Sequence, residues 1–125
     1  MRTLTDHIVS GDQAVQLKIN VVDEPGAGGA NHEYAISWKG PVDGGPDDFI
    51  VIKFQNGPIK EVGVNGVTNE ALLAIVIDRL RSFQAGPFSC QENTIAFMQC
   101  EDALEWLQRR TLARIKRGVE GTNQK

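Results

Sequence analysis

The sequence is short of the residues that build reactive centres. It holds two histidines and two cysteines in 125 residues. His7 and His32 stand apart, at no spacing shared with cysteine or paired carboxylates that would suggest a metal site. The G-x-S-x-G elbow is absent, and Cys90 and Cys100 fall on one expected helix with no local nucleophile motif. With no recognisable set of acid, base and nucleophile, catalysis is not expected, nor is a cofactor. No run approaches the ~18 apolar residues that a membrane span needs. Met1-Arg2-Thr3-Leu4-Thr5-Asp6 lacks the apolar stretch of a signal peptide, so the expected compartment is the cytoplasm. A surplus of positive charge is missing too. The net charge is −3, which disfavours long DNA or RNA as a partner. The two cysteines lie ten residues apart, ~15 Å along a helix, too far for a disulfide within one chain. Both are expected as reduced thiols.

What is present fits one domain, with a sheet in residues 1–66 and a helical hairpin in 67–121. Residues 1–12 are polar and give no clear element. Gln13 to Val22 alternates, placing Val15, Leu17, Ile19 and Val21 on one face, and His32 to Lys39 alternates again with Tyr34, Ile36 and Trp38 together. Between them Asp23 to Asn31 is a glycine-rich turn. Its Gly26-Ala27-Gly28-Gly29 matches neither the Walker loop nor the dinucleotide fingerprint and reads as a plain hairpin loop. Phe49 to Phe54 is a dense apolar run, expected to be the most buried strand. Asn56-Gly57-Pro58 turns the chain, and Ile59 to Val64 is expected to return it as a fourth strand. The fold class is α+β: an antiparallel sheet of about four strands, then a long helical hairpin.

Thr68 or Asn69 can cap the first long helix. Ala71 to Ile77 is apolar at seven successive positions, which covers every side of a helix and implies a second chain to bury what one chain cannot. Gly86 is expected in a left-handed C-terminal position, with Pro87 blocking continuation. Ser89-Cys90-Gln91-Glu92 reads as a capping box that opens the second helix. Its core face runs through Phe97, Cys100, Ala103, Leu104, Leu107 and Thr111. After Gly118 the tail is expected to fray.

Charge is distributed unevenly along the chain. Residues 69–125 carry eight basic and seven acidic groups, and five of the basic ones fall between Arg109 and Arg117. Arg110 and Arg114 are one helical turn apart, and paired guanidinium groups can grip a diphosphate. The plain alternative is a solvated helix end whose cations satisfy the dipole. Phe83, among polar residues at the end of the first helix, is either core or a platform for a base.

The stretch from Gly57 to Thr122 resembles the helical-hairpin domain of phage Thoeris anti-defence sponge proteins, a hairpin shared with anti-CBASS sponges. The resemblance rests on NEALLAIVIDRL, the F-x-C-x-E-N step from Phe88 to Asn93, and the ending RRTLARIKRGVEGT. The preceding sheet makes the Thoeris family the closer match. The resemblance implies a non-enzymatic protein that sequesters glycocyclic ADP-ribose, the messenger of bacterial TIR-domain enzymes, in the cytoplasm of the infected host. It allows a second site for cyclic oligonucleotides. It allows a hexamer built as a trimer of the homodimers that the apolar run from Ala71 to Ile77 implies. By motif, Phe83 stacks on the adenine, Asn93 makes a polar contact, and Arg110 and Arg114 hold the phosphates. Arg81 and Phe88 are secondary candidates near the same turn. The rival readings are a hydrolase of that messenger and a regulator that binds nucleic acid or protein through the basic helix end.

Overall fold

The computed structural model describes residues 1–10 and 16–125. The chain forms two compact units. One comprises Met1–Gly57 with Val62–Gly66, the other Pro58–Glu61 with Val67–Lys125. The first is an antiparallel sheet in chain order: β1 (Arg2–Leu4), β2 (Lys18–Val21), β3 (Glu33–Trp38) and β4 (Asp48–Lys53). The α+β class and the four-strand sheet are as the sequence suggests, but two strands differ. β1 arises from a segment too short and polar to show a period, and the expected strand from Ile59 to Val64 is not one. Gln13 to Val15, the start of the first alternating run, lie outside the described residues.

Register turns alternation into two faces. Leu4, Ile19, Ile36 and Ile50 stand in one row, and Val21, Tyr34 and Ile52 in the next row of the same face. Val21 is buried at 1% exposure, and the rings of Tyr34 and Phe54 meet edge to face at 5.6 Å. The opposite face is polar through β1 and β2, where Thr3 donates to the Asn20 side chain at 2.9 Å. The glycine-rich segment is a hairpin loop, with Gly28 and Gly29 at φ 72° and 81°. Asp23 ties it: the His32 backbone N–H donates to Oδ2 at 2.9 Å and, as the main cause, holds this carboxyl below its ordinary range. A depressed carboxylate stabilises the fold above its unfolded pKa, and that support is lost as pH falls through the lower folded value.

β4 corrects the expectation of a buried strand. It is a sheet edge, and Phe49, Ile50 and Val51 are 66%, 49% and 44% exposed. Its apolar density says that something should cover it but not that this chain does. The segment after it is corrected too: Ile59–Val62 is a single helical turn, α1. Pro58 presets a helical φ at its start, the Glu61 N–H donates to the Pro58 carbonyl at 3.0 Å, and Gly63 ends it at φ 76°. Side chains replace the missing ladder. Asn65 exchanges two bonds with the Asn56 backbone, at 2.8 and 2.7 Å, and its own N–H donates to Gln55 Oε1.

The second unit is built on α2 (Asn69–Gln84) and α3 (Gln91–Lys116), packed along each other. Thr68 caps α2, accepting from the Ala71 N–H at 3.1 Å. Ile77 is its one buried residue, and Ile75 on the far side is 60% exposed. Gly86 has no positive φ, contrary to expectation. The last turn tightens instead, with the Gly86 N–H donating to the Phe83 carbonyl at 3.2 Å. The capping box does not form either. α3 opens after Cys90, and Gln84 of α2 binds both its N–H and its carbonyl at 3.1 Å. The two cysteines are free thiols. Among the described residues no helix is long and apolar enough to cross a membrane.

Candidate functional site

The turn between α2 and α3 gathers the site. Val76, Arg79, Leu80, Phe83, Phe88 and Asn93 line an open cavity of about 420 Å³. Gln84 holds α3 against α2 at this end, which sets Asn93, in the first turn of α3, opposite Phe83 in the last turn of α2. Phe83 remains 40% exposed, so part of its ring is free to receive a flat partner, and Phe88 stands out at 73%. Asn93 can offer both donor and acceptor to the edge of such a partner. The floor is apolar, from Val76 and Leu80. The cavity thus combines an aromatic surface, an amide with both donor and acceptor, and one cation.

The cation is Arg79, which sequence reasoning did not single out. Its guanidinium lies over the Phe83 ring at 5.3 Å from the centroid. The spacing was available: Arg79 and Phe83 are four apart, so they share a helix face. Arg81, a candidate by sequence, does not line this cavity. It sits over the Phe97 ring at 5.5 Å, 3.8 Å from Asp78, in a separate groove with Glu101, Asp102 and Glu105.

The basic end of α3 separates two arginines that look alike in sequence. Arg110 is exposed and makes no ion pair among the described residues. Arg114 is buried at 9% exposure. Its Nε donates to Glu120 at 3.1 Å, Nη1 to the Gln124 carbonyl at 2.6 Å, and Nη2 to the carbonyls of Val119 and Thr122 at 3.0 and 3.1 Å. The tail expected to fray is therefore folded back. Gly118, at φ 75°, makes the reversal possible, with the Gly118 N–H on the Ile115 carbonyl and the Val119 N–H on the Arg114 carbonyl. Val119 is buried, and the Gly121 carbonyl accepts from the Lys60 N–H at 3.0 Å. Arg114→Ala removes the donor that organises this turn, and the expected loss of stability is about 1.5–3 kcal/mol. Arg110→Ala should stay within about 0.5 kcal/mol of the parent. Urea midpoints of the two proteins measure the contrast, and equal midpoints would contradict the structural role of Arg114.

The structure brings Phe83, Phe88 and Asn93 together and leaves Arg110 and Arg114 at the other end of the same helix. α3 is continuous over 26 residues. Asn93 and Arg110 are therefore about 26 Å apart along its axis at 1.5 Å per residue. Among the described residues no three His, Cys, Asp or Glu side chains are grouped to hold a metal ion.

Two comparisons with known proteins bear on the same region. The sequence pattern described as the Acb2/Tad1 hairpin domain matches residues 46–112, a stretch that includes Phe83, Phe88, Asn93 and Arg110 and stops short of Arg114. A protein of Bacillus phage SBSphiJ7 named Thoeris anti-defense 1 is 53% identical over 74 residues, which are 59% of this chain and 52% of that protein. The similarity thus spans about half the length of that relative.

Proposed function

Since the chain belongs to the Acb2/Tad1 hairpin-domain family, we propose that it is a phage anti-defence protein that binds a cyclic ADP-ribose messenger and holds it intact. The messenger would be glycocyclic ADP-ribose, made by TIR-domain enzymes, and its removal in the infected cell would keep the Thoeris effector unswitched. The observation that carries this reading is the cavity at the hairpin turn, where Phe83, Asn93 and Arg79 face one space. A purine stacks on Phe83, and the Asn93 amide reads its edge. The Arg79 guanidinium adds charge beside the ring. The polar groups of this lining are an arginine and an amide, which bind and orient but do not shuttle protons near neutrality. Sequestration without cleavage is the chemistry such a lining favours.

The phosphates need a second cluster, and Arg110, exposed and without an ion pair among the described residues, is the member the motif names. Arg114 has committed four of its N–H donors to the tail, so it acts there through the remaining one and by fixing the helix end. Because ~26 Å of helix separates Asn93 from Arg110, the two halves come from two chains packed with their hairpins antiparallel, giving two equivalent pockets per dimer.

The test is release. Protein incubated with glycocyclic ADP-ribose and then heat-denatured should return the messenger unchanged on chromatography. Linear ADP-ribose or other products would make the protein a hydrolase. Messenger that never leaves the free pool before heating would remove the binding claim altogether.

A further inference from the structure

The arginines of α2 and α3 differ in what already holds them. Arg81 lies 3.8 Å from Asp78, Arg109 donates to Glu105 at 2.7 Å, and Arg117 donates to the Lys125 carbonyl. Arg114 has four of its five N–H groups on the folded-back tail. Arg79 is held by none of these means. Among the described residues it has no ion pair and no hydrogen bond, and its contact is the Phe83 ring, 5.3 Å from the guanidinium carbon to the centroid. Full overlap of two flat groups would bring them to about 3.5–4 Å. The guanidinium therefore covers the ring only in part, and a cation–π contact uses none of its five N–H donors. It stands beside the apolar Val76 and Leu80, and among the described residues no carboxylate lines the cavity to offset its charge.

We infer that Arg79 makes the turn half of the pocket a nucleotide subsite, taking a phosphate of the same nucleotide whose base stacks on Phe83, within one chain. The planar fork of an arginine with no acceptor fits two phosphate oxygens at once. A base edge does not need it, because Asn93 offers that edge a donor and an acceptor in the same cavity. The basic end of α3 also has fewer donors to give than its sequence suggests. With Arg109, Arg114 and Arg117 engaged, Arg110 is the arginine left there for a group with two negative charges. On the messenger-binding reading, on which this rests, the phosphates are divided. One sits on Arg79 of the chain that stacks the base, and the other on Arg110 of the second chain. A single sugar joins the base to the first phosphate, so that phosphate stays at the turn, while Arg110 of the same chain is ~26 Å away along α3. The ligand class of the turn half by itself is a purine nucleoside 5′-monophosphate.

The Arg110→Ala protein leaves the turn half to act alone, and its titration with adenosine 5′-monophosphate and with adenosine, followed by NMR, separates phosphate from base. The monophosphate should bind roughly 10- to 150-fold tighter, the range of a hydrogen bond to a charged group. Adding Arg79→Met keeps a flexible side chain against the ring without the charge, so it should abolish that preference and leave adenosine binding unchanged. Arg79→Lys should keep part of the preference, as a point charge without the fork. Added salt should erode it, since the guanidinium is open to screening. No preference for the monophosphate, or one that survives Arg79→Met, would overturn the inference. Guanosine bound as tightly as adenosine 5′-monophosphate would set the guanidinium on a base edge and overturn it too. With Arg110 intact, Arg79→Met should weaken glycocyclic ADP-ribose binding by a similar factor. A parent that binds this messenger and loses nothing on Arg79→Met would overturn the phosphate role and leave sequestration standing. A parent that binds no messenger would overturn sequestration, and the monophosphate preference would still decide the subsite.

Discussion

Phe83→Ala and Arg110→Ala proteins, each a poor binder alone, are expected to recover binding when mixed. In the proposed pocket Phe83 would supply a stacking face worth about 1–3 kcal/mol per base, so its loss should weaken binding by roughly 5- to 150-fold. Arg110 would supply a charge-assisted contact of similar size. If each pocket takes the turn of one chain and the basic end of the other, a mixed dimer has one pocket with both lesions and one with none. Free exchange at equal concentration makes about half of the dimers mixed, so about a quarter of all pockets regain parental affinity. The geometric premise is the unbroken α3, which keeps Asn93 and Arg110 of one chain at opposite ends. Titration calorimetry on the exchanged mixture reads the recovered stoichiometry directly. No tight-binding fraction, with exchange confirmed by native mass spectrometry, would place the pocket within a single chain.

Much of this architecture is visible in the residues themselves. Ile19 and Val21, then Tyr34 and Ile36, alternate in sequence and share one face in the sheet. Thr68 caps α2 because a hydroxyl placed before an apolar helical run has a free N–H to accept from. The losses have a common cause, which is that composition does not name the neighbour. β4 looks buried because its side chains are apolar, yet edge or centre is decided by the order of pairing. Ser89 and Glu92 have the spacing of a capping box, but Gln84, from another helix, reaches Cys90 first. The site divides in the same way. The motif marks Phe83 and Asn93, and the structure sets both on one cavity. Arg79 went unnoticed because cation and ring four apart is a common pair, and only the cavity gives it meaning. Arg110 and Arg114 are indistinguishable as letters, while the backbone carbonyls that bury Arg114 belong to a tail whose sequence reads as disordered.

Two substitutions on α2, two residues apart, should have opposite kinds of consequence. Ile75 and Ile77 lie about 200° apart around the helix, at 3.6 residues per turn. Ile77 is 4% exposed. Ile77→Asp buries a carboxylate with no partner, which costs several kcal/mol and rivals the whole stability of a small domain. The expected result is an unfolded chain with no cooperative melting transition by circular dichroism. Ile75 is 60% exposed within the chain and Val76 beside it 44%. On a free surface Ile75→Asp would change stability by no more than about 0.5 kcal/mol. If a second chain covers this face, the same carboxylate is driven into an apolar interface, and the assembly dissociates while the helices stay formed. Ile75→Asp is therefore expected to sediment as one 13.7 kDa chain with its helical spectrum retained, where the parent sediments at twice that mass or more. A variant that keeps the parent's mass would mean that this apolar face stays in water, and the two-chain pocket would lose the contact that holds its halves together.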